Sequence, residues 1–196
     1  MAQVMKKLPP FQNMAAAAAC NAIIPNIPQS RVYDCFALKM GGTFVAADIS
    51  DVRLNLGGKR IWDITGPHLD TINLSYKYTN NSGNDYLPLM FHFPRAKTRS
   101  GRRFGSIDTK SVSYSDFSLE VVVDGTQTGA TLEALYLEGG PKPAIEQNGK
   151  MVSTAQMFRA LLKSTPATPS AATHTVPLPT GSNLGNLVSA FHFFHT

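Results

Sequence analysis

Cysteine and charge are both scarce in this sequence. Only two of its 196 residues are cysteines, Cys20 and Cys35. That is too few for the disulfide framework of a small secreted scaffold, so we expect reduced thiols. Charged residues make up 16% of the chain, and no apolar run approaches the roughly 20 residues that a membrane-spanning helix needs. These shortages argue against a disulfide-rich scaffold and against a transmembrane helix.

Motifs for catalysis and metal binding are also missing. The chain has no Gly-x-Ser-x-Gly elbow, no phosphate-binding Gly-Lys-Ser/Thr loop and no His-x-His pair. His192 and His195 are three residues apart, which would place them on opposite faces of a regular strand. The sequence therefore predicts no catalytic residues, no metal site, no cofactor and no enzymatic activity.

The N-terminus superficially imitates a lipoprotein signal. Lys6 and Lys7 precede a small-residue run that ends at Cys20, but the intervening stretch 8–13 is polar and broken by prolines. Such a stretch does not form a hydrophobic signal core. We interpret residues 1–19 as an extended N-terminal arm.

A period of two dominates what is present. In the stretch 51–56 polar residues alternate with Val52, Leu54 and Leu56, as in a strand that is buried on one face only. Gly57 and Gly58 follow, and a two-residue Gly-Gly loop favours the type I′ turn of a β-hairpin. We therefore expect Leu54 in a core and Arg53 on the opposite side.

Similar alternation along the chain predicts a series of short strands. They are expected at Cys20–Ile27, Arg31–Met40, Val45–Leu56, Lys59–Ile64, Tyr86–Phe93, Asp116–Asp124 and Thr131–Glu138. One helix is expected at about 65–78, with Thr65 as its N-cap and Pro67 in its first turn, although residues 72–78 also fit an extended pattern. Seven or eight strands with one inserted helix predict an all-β, antiparallel β-sandwich of jelly-roll type.

The composition changes after Gly140. We expect one jelly-roll domain over residues 20–140, a connector and linker over 141–175, and the first strand region of a truncated second jelly roll over 176–196. Periodicity leaves open whether Met151–Lys163 forms a helix or another strand. The C-terminal unit is too short to bury its own aromatic residues. They need a partner in the first domain, in another subunit or in residues absent from this chain.

Positive charge is concentrated in one short segment. The net charge is +5, and five cations interrupted by glycine and serine lie close together. The cations are Arg95, Lys97, Arg99, Arg102 and Arg103. The segment reads as a loop, and its functional interpretation is a contact with phosphate, either in nucleic acid or in lipid headgroups. The interpretation we favour is a solvated loop between strands, and no aromatic residues stand between the charges to stack on bases.

A collinear set of short motifs spans roughly residues 8–138. The motifs are Leu8–Asn13, Leu38–Thr43, Ile49–Lys59, Asp63–Gly66, Leu69-Asp70, Ile72-Asn73, Tyr86–Leu89, Ala96–Thr98, Ile107–Thr109 and Thr131–Ala134. In these motifs the chain resembles the major capsid proteins of corticovirus-type, membrane-containing double-stranded DNA phages. Those proteins belong to the double jelly-roll lineage.

The resemblance implies a structural role. It implies a homotrimeric capsomer in an icosahedral phage or prophage shell, contact with other virion proteins and with an internal viral membrane, and no specific nucleic-acid sequence as partner. It also implies a location in the virion, after assembly in the cytoplasm of a bacterial host. The candidate subunit contacts are Phe11, Trp62, Phe191, Phe193 and Phe194. The truncated second unit departs from the family pattern, because a pseudo-hexagonal trimer needs six rolls.

Two other functions fit the same architecture. A carbohydrate-binding or adhesive β-sandwich would expose aromatic side chains, and Trp62, the only tryptophan, is the one candidate for stacking on sugar. A basic nucleic-acid-binding β-domain would use the segment 95–103. Glycan binding and salt-dependent DNA binding would distinguish these functions from a capsid role.

Overall fold

The computed structural model describes residues 5–79, 85–125, 128–163 and 192. Most of their regular secondary structure is strand. The strands are β1 (Met5–Lys7), β2 (Cys20–Ile24), β3 (Val32–Gly41), β4 (Ile49–Leu56), β5 (Lys59–Ile64), β6 (Tyr86–Met90), β7 (Ile107–Asp108), β8 (Phe117–Val123), β9 (Thr131–Glu138), β10 (Ala144–Gln147), β11 (Lys150–Ser153) and β12 (Leu161–Leu162). Two α-helices, α1 (Gly66–Ser75) and α2 (Arg99–Arg103), and a 3-10 helix at Ala46–Asp48 complete the described elements.

Eight strands form two four-stranded antiparallel sheets. The first sheet has the order β1-β9-β3-β6 and the second β5-β4-β8-β2, while β7 pairs with one end of β3. The chain crosses repeatedly from one sheet to the other, so that strands distant in sequence become neighbours, such as β3 and β9. This is the eight-stranded arrangement of a jelly roll. The predicted fold class is confirmed.

The inner faces of the two sheets form one hydrophobic core. In β8 every second residue is buried, from Phe117 to Val123. Aromatic rings connect the sheets: the ring centroids of Tyr33 and Phe117 are 5.5 Å apart, and those of Trp62 and Phe91 are also 5.5 Å apart. Aromatic pairs in these edge-to-face arrangements add to the stabilisation from burial alone.

The β4–β5 hairpin has the expected inside and outside. Val52, Leu54 and Leu56 are buried. Gly57 and Gly58 have φ values of 59° and 73°, which L residues with a side chain rarely adopt. A bulge between Leu54 and Asn55 shifts the register of the pair. The predicted Gly-Gly reversal is confirmed.

Helix α1 also begins where the sequence predicts. The Thr65 hydroxyl accepts a hydrogen bond from the His68 amide at 3.3 Å, and Leu69 and Ile72 face the core. Gly66 is required for packing as well, because a Cβ atom there would lie 2.2 Å from the carbonyl oxygen of Ala46. The helical interpretation was therefore the correct one of the two.

Three strand boundaries differ from the prediction by three residues or more. The strand expected over Cys20–Ile27 ends at Ile24. The strand expected from Val45 begins only at Ile49, because the preceding residues form the 3-10 helix, and the Asp48 carboxylate accepts a hydrogen bond from the Val45 amide at 2.9 Å. The strand expected to reach Phe93 ends at Met90. There the amides of Phe91 and His92 both donate to the carbonyl oxygen of Asp34.

The expected N-terminal arm is part of the roll. Met5–Lys7 pairs with β9, and the Leu8 amide donates to Ala134. Gln12 forms a two-way bridge with Ile23, and the carbonyl oxygen of Ala16 accepts from Ala130. Residues 5–7 of the expected arm are thus an edge strand of the roll, whereas residues 8–19 lie in no strand. The short exposed strand has no apolar alternation by which the sequence could indicate it.

In the part that the structure describes, the expected connector has regular secondary structure. Residues 144–153 form the β10–β11 hairpin, and Leu161–Leu162 adds to β5 as a parallel strand. Of the segment Met151–Lys163, only residues 151–153 and 161–162 lie in strands, and no helix forms between them. The expected linker 164–175 and the second unit 176–196 lie outside the described residues, apart from His192.

Candidate assembly surfaces

The outer face of the β1-β9-β3-β6 sheet is apolar. Residues directly opposite each other in antiparallel strands share a face. One row across the sheet therefore contains Met5, Leu137, Cys35 and Met90, and the next contains Lys7, Leu135, Ala37 and Pro88. We call the seven non-charged members of these rows the apolar face. They are Met5, Cys35, Ala37, Pro88, Met90, Leu135 and Leu137.

The apolar face is partly open and has a charged border. Cys35 and Ala37 in its centre are each 5% exposed, whereas Met5 at its edge is 39% exposed. In the bordering row, Glu133 Oε1 lies 2.8 Å from Lys7 Nζ, and Glu133 Oε2 lies 3.7 Å from Lys39 Nζ. The hydrogen bond from Lys7 lowers the pKa of Glu133 below its ordinary value. This arrangement, apolar inside and charged at the rim, is typical of a contact surface.

The outer face of the other sheet is polar and internally paired. Arg53 contacts Asp51 at 2.8 Å and Glu120 at 3.0 Å, and Asn21 donates to Glu120 at 2.7 Å. Lys163 Nζ bonds to Asp51 and lies 3.7 Å from Asp63. The charges on this outer face are therefore largely compensated by one another within the chain. We call this surface the polar face.

Three sheet edges are covered by the chain itself. The edge of β5 is paired with β12, and the edge of β2 is bridged by Gln12. At the edge of β6, Pro88 has no amide hydrogen, and its carbonyl oxygen accepts from Asn73 Nδ2 at 2.9 Å. The carbonyl oxygen of Met90 accepts from Arg159 at 3.1 Å. Unpaired edge groups, which invite pairing with another chain, are thus reduced.

The remaining edge belongs to β1. This strand has three residues, all exposed, and two of them are lysines, Lys6 and Lys7. A short, lysine-bearing edge is poorly suited to pairing with a foreign strand. Edge-to-edge sheet extension is therefore disfavoured around the described part of the roll.

A buried polar cluster fastens the connector to one end of the roll. Ser106, which is fully buried, donates to the Asp34 carboxylate at 2.6 Å. Lys142 Nζ donates to the carbonyl oxygens of Ser106, at 2.9 Å, and of Met157. Burial lowers the pKa of Lys142 to about 8, against the opposing effect of Asp108 and Asp34. The geometry gives this lysine a structural role.

Arg159 is a second fastening point of the connector. Its guanidinium lies over the rings of Phe93 and Tyr76, 5.4 and 5.7 Å from their centroids. Its carbonyl oxygen accepts a hydrogen bond from Trp62 Nε1 at 3.0 Å. The ring of His192 lies 5.7 Å from that of Tyr76. These contacts hold residues 157–163 against the roll.

The basic segment contains helix α2 rather than only a loop, which corrects the prediction. Thr98 caps the helix by accepting from the Gly101 amide at 3.0 Å. Arg95, Lys97 and Arg102 are exposed, and no ion pair joins them to a carboxylate within the described ranges. Phe104, next to them, is 38% exposed.

Arg103 differs from its neighbours because it faces the connector. It donates to the carbonyl oxygen of Pro141 over 3.5 Å and covers Gly140, where a Cβ atom would lie 2.5 Å from its guanidinium. Together with Ser100 and Lys142 it lines a surface depression of about 350 Å³. Lys142 directs its ammonium away to two carbonyls, so this depression is not a strongly cationic site.

The predicted contact residues fall in different places. Phe11 is half-buried against the core. Trp62 is 1% exposed and its ring packs on Phe91 at 5.5 Å, so the chain itself already covers it. Phe191, Phe193 and Phe194 lie outside the described residues.

Sequence reasoning missed the apolar face, although a signal was present. The runs Cys35–Leu38 and Ala134–Leu137 are continuously apolar rather than alternating. Such runs indicate strands covered on both faces. Lys142 and Arg159 gave no comparable signal, since their roles depend on the path of the connector.

Within the described ranges, no group of three or more His, Cys, Asp and Glu side chains is arranged to hold a metal ion. None of the described helices is long and apolar enough to cross a membrane.

Comparison with solved structures finds capsid proteins. The major capsid protein P2 from Bacteriophage PM2 matches with a TM-score of 0.59 and 21% identity, over 73% of this chain and 53% of that one. The chain thus spans about half the length of this relative. The PBCV-1 virus capsid matches with a TM-score of 0.48 and 14% identity, over 69% of this chain and 41% of that one. No match was found among curated protein sequences.

Comparison with protein families gives the more specific result. Residues 5–136 match the family described as the viral coat protein P2 N-terminal domain. This is a family of structural coat proteins and not of enzymes, so the prediction that the chain is not an enzyme is confirmed, as is the sequence resemblance to phage capsid proteins. Because the match covers about two thirds of the chain, the protein belongs to the viral coat protein P2 N-terminal domain family.

Proposed function

We propose that this protein is a major capsid protein that forms homotrimeric capsomers of an icosahedral phage or prophage shell. The observation that carries the proposal is the family match over residues 5–136, which covers nearly the whole jelly roll. In this proposal the partners are further copies of the chain and other virion proteins. The chain acts in the virion, after assembly in the cytoplasm of a bacterial host.

The guarded sheet edges support assembly of whole, folded rolls. Because three edges are covered by the chain and the fourth is short and rich in lysine, copies are expected to meet through faces and loops. Half-buried Phe11 and the C-terminal aromatic residues Phe191, Phe193 and Phe194 are further contact candidates in this proposal.

Co-expression of two differently tagged copies tests self-assembly directly. We expect the second tag to be retained when the first is captured at physiological salt, and to be retained equally from a lysate treated with nuclease. Retention that depends on nucleic acid would favour a nucleic-acid-binding domain instead. No retention at any protein concentration would contradict the capsid function.

The basic segment is proposed to contact the anionic headgroups of an internal viral membrane. Its exposed cations Arg95, Lys97 and Arg102 have no carboxylate partner in the described ranges, and exposed Phe104 adds an apolar side chain beside them. Cations next to an exposed aromatic ring are suited to the interfacial region of a bilayer. Each cation near an anionic surface contributes about 1 kcal/mol.

Flotation with vesicles tests this contact. The triple variant Arg95→Gln, Lys97→Gln, Arg102→Gln is expected to lose most binding to phosphatidylserine-containing vesicles. The matched control Lys59→Gln, Lys110→Gln, Lys150→Gln removes the same charge from other exposed positions. This control variant is expected to keep its binding to the vesicles. Equal loss in both variants would show only a net-charge effect and would contradict a specific role of the segment.

A further inference from the structure

The β10–β11 hairpin stands apart from both sheets of the roll. In the described part of the chain its two strands pair only with each other, through four residue pairs that end at Gln147 and Lys150. Residues 148–151 are exposed, and Met151 among them is 70% exposed. A two-stranded hairpin without a third strand is only marginally stable in water. We therefore expect this element to open locally while the roll stays folded.

The turn of this hairpin is Asn148-Gly149, which is the sole Asn-Gly dipeptide in the sequence. The two residues have φ values of 52° and 73°, and positive φ at both central residues is the mark of a type I′ turn. A Cβ atom built at Gly149 would meet no described atom within 4 Å. The peptide bond that follows Asn148 is thus crowded neither by a side chain at residue 149 nor by a neighbouring element at that position.

We propose that Asn148 is a modification site, at which the side-chain amide is converted to a carboxylate by spontaneous deamidation with solvent water as the co-reactant. The main-chain nitrogen of Gly149 attacks the Cγ carbon of Asn148. A nitrogen–Cγ bond forms, the Cγ–Nδ2 bond breaks, and Nδ2 leaves as ammonia with the proton from the main-chain amide. The product of this step is a five-membered cyclic imide, and no electrons are gained or lost.

Water then opens the imide at either of its two carbonyl carbons. Cleavage at the Cγ carbonyl gives aspartate, and cleavage at the main-chain carbonyl gives isoaspartate, in which the chain runs through the side chain. Isoaspartate lengthens the backbone of a two-residue turn, which no longer fixes the pairing of Gln147 with Lys150. Both products add a negative charge two residues from Lys150. The modification is independent of the proposed capsid function.

Two other asparagines show why position 148 is singled out. Asn13 is also exposed and also has a positive φ, of 60°, but Met14 follows it and places a side chain beside the attacking nitrogen. Asn55 lies in β4 between two strands, and its Nδ2 donates to the Ser118 hydroxyl at 3.3 Å. Asn148 combines an uncrowded following amide with a turn that opens easily.

Opening of the turn is a required step. Ring closure needs a ψ angle of Asn148 that the closed type I′ turn does not provide. The rate in the folded chain is therefore the rate in an open chain multiplied by the fraction of hairpins that are open. Because the hairpin is marginal, we expect this fraction to lower the rate by less than about tenfold.

Timed incubation of the full-length protein at pH 8, followed by peptide mass spectrometry, tests the site. Asn148 is expected to convert to a mixture of aspartate and isoaspartate, at a rate within about tenfold of that in a synthetic peptide of residues 144–153. Asn13 is expected to convert at least about tenfold more slowly, because the Met14 side chain raises the barrier to attack. Equal rates at the two asparagines, or aspartate without isoaspartate at position 148, would overturn the proposal.

Gly149→Ala is the matched variant. Its methyl group crowds the attacking nitrogen, whereas its strained positive φ loosens the turn. Conversion of Asn148 is expected to slow severalfold, with the melting temperature of the roll unchanged because the turn lies outside the core. Conversion at the wild-type rate or faster would show that attack by the amide of residue 149 is not the step, and would contradict the proposal.

Discussion

Leu54 and Arg53 are chain neighbours with opposite surroundings. Leu54 is fully buried between the sheets, and Arg53 lies in the ion-pair network of the polar face. Leu54→Ala is expected to lower the free energy of unfolding by about 3 kcal/mol, because it leaves a cavity in a packed core. Arg53→Ala is expected to lower it by about 1 kcal/mol or less, since its partners Asp51 and Glu120 retain Lys163 and Asn21. Urea denaturation at neutral pH measures both, and equal losses would contradict the assignment of faces.

Cys35 and Cys20 are free thiols with different environments. Burial, reinforced by the charge of Asp34, raises the pKa of Cys35 to about 12, and its thiol donates to the carbonyl oxygen of Phe36. Because only the thiolate reacts, alkylation of native protein at pH 8 is expected to be at least about a hundredfold slower at Cys35 than at partly exposed Cys20. Peptide mass spectrometry after timed iodoacetamide treatment measures the two rates. Comparable rates in folded protein would show that the centre of the apolar face is open.

At the scale of single elements, Lys142 fastens the connector to the roll through its bonds to the carbonyl oxygens of Ser106 and Met157. Its pKa lies at about 8 in the folded chain and at the ordinary 10.5 in the unfolded chain, so between these values the unfolded state binds more protons. The contribution of Lys142 to the free energy of unfolding therefore rises with pH over this interval and is smallest below pH 8. Burial, which disfavours the charged ammonium, is the cause.

The matched test compares wild type with Lys142→Met as a function of pH. Relative to this variant, the wild type is expected to gain stability between about pH 7.5 and pH 10. Taking the difference removes the opposing effects of Cys35 and of Tyr33, whose pKa burial also raises. A pH-independent difference in urea midpoint would mean that Lys142 is not buried as described.

Elements with regular alternation could be predicted from the sequence, and elements held by distant partners could not. The β4–β5 hairpin and helix α1 carry their own signals, in the Gly57-Gly58 pair and in the Thr65 cap. Strand β1 exists because β9 offers it an edge, and β12 because β5 does. Short exposed strands of this kind have almost no local pattern, since their stability comes from the partner strand.

The same physical reason explains what was missed in the candidate surfaces. The basic segment is visible as a run of charges, but its helix depends on the Thr98 cap and on the Arg102 bond to Ala96. Trp62 was expected in a subunit contact, yet the fold places Phe91 against its ring. The apolar face arises only when Leu135, Leu137 and Cys35 are brought into register by pairing of strands far apart in sequence.

On the scale of the whole molecule, the roll has one polar and one apolar outer face and largely closed edges. A monomer gains no free energy from exposing the apolar face, whereas a subunit of a shell can bury that face against a neighbour. The covered edges allow many copies to be concentrated without strand exchange, a hazard for flat exposed edges. The architecture therefore agrees with a protein whose partner is another copy of itself.

The mass of the purified chain in solution, by light scattering coupled to size exclusion, tests the central claim most directly. The account predicts a stable species near three times the chain mass of 21.2 kDa. A single species of 21.2 kDa that persists as the protein is concentrated would contradict it.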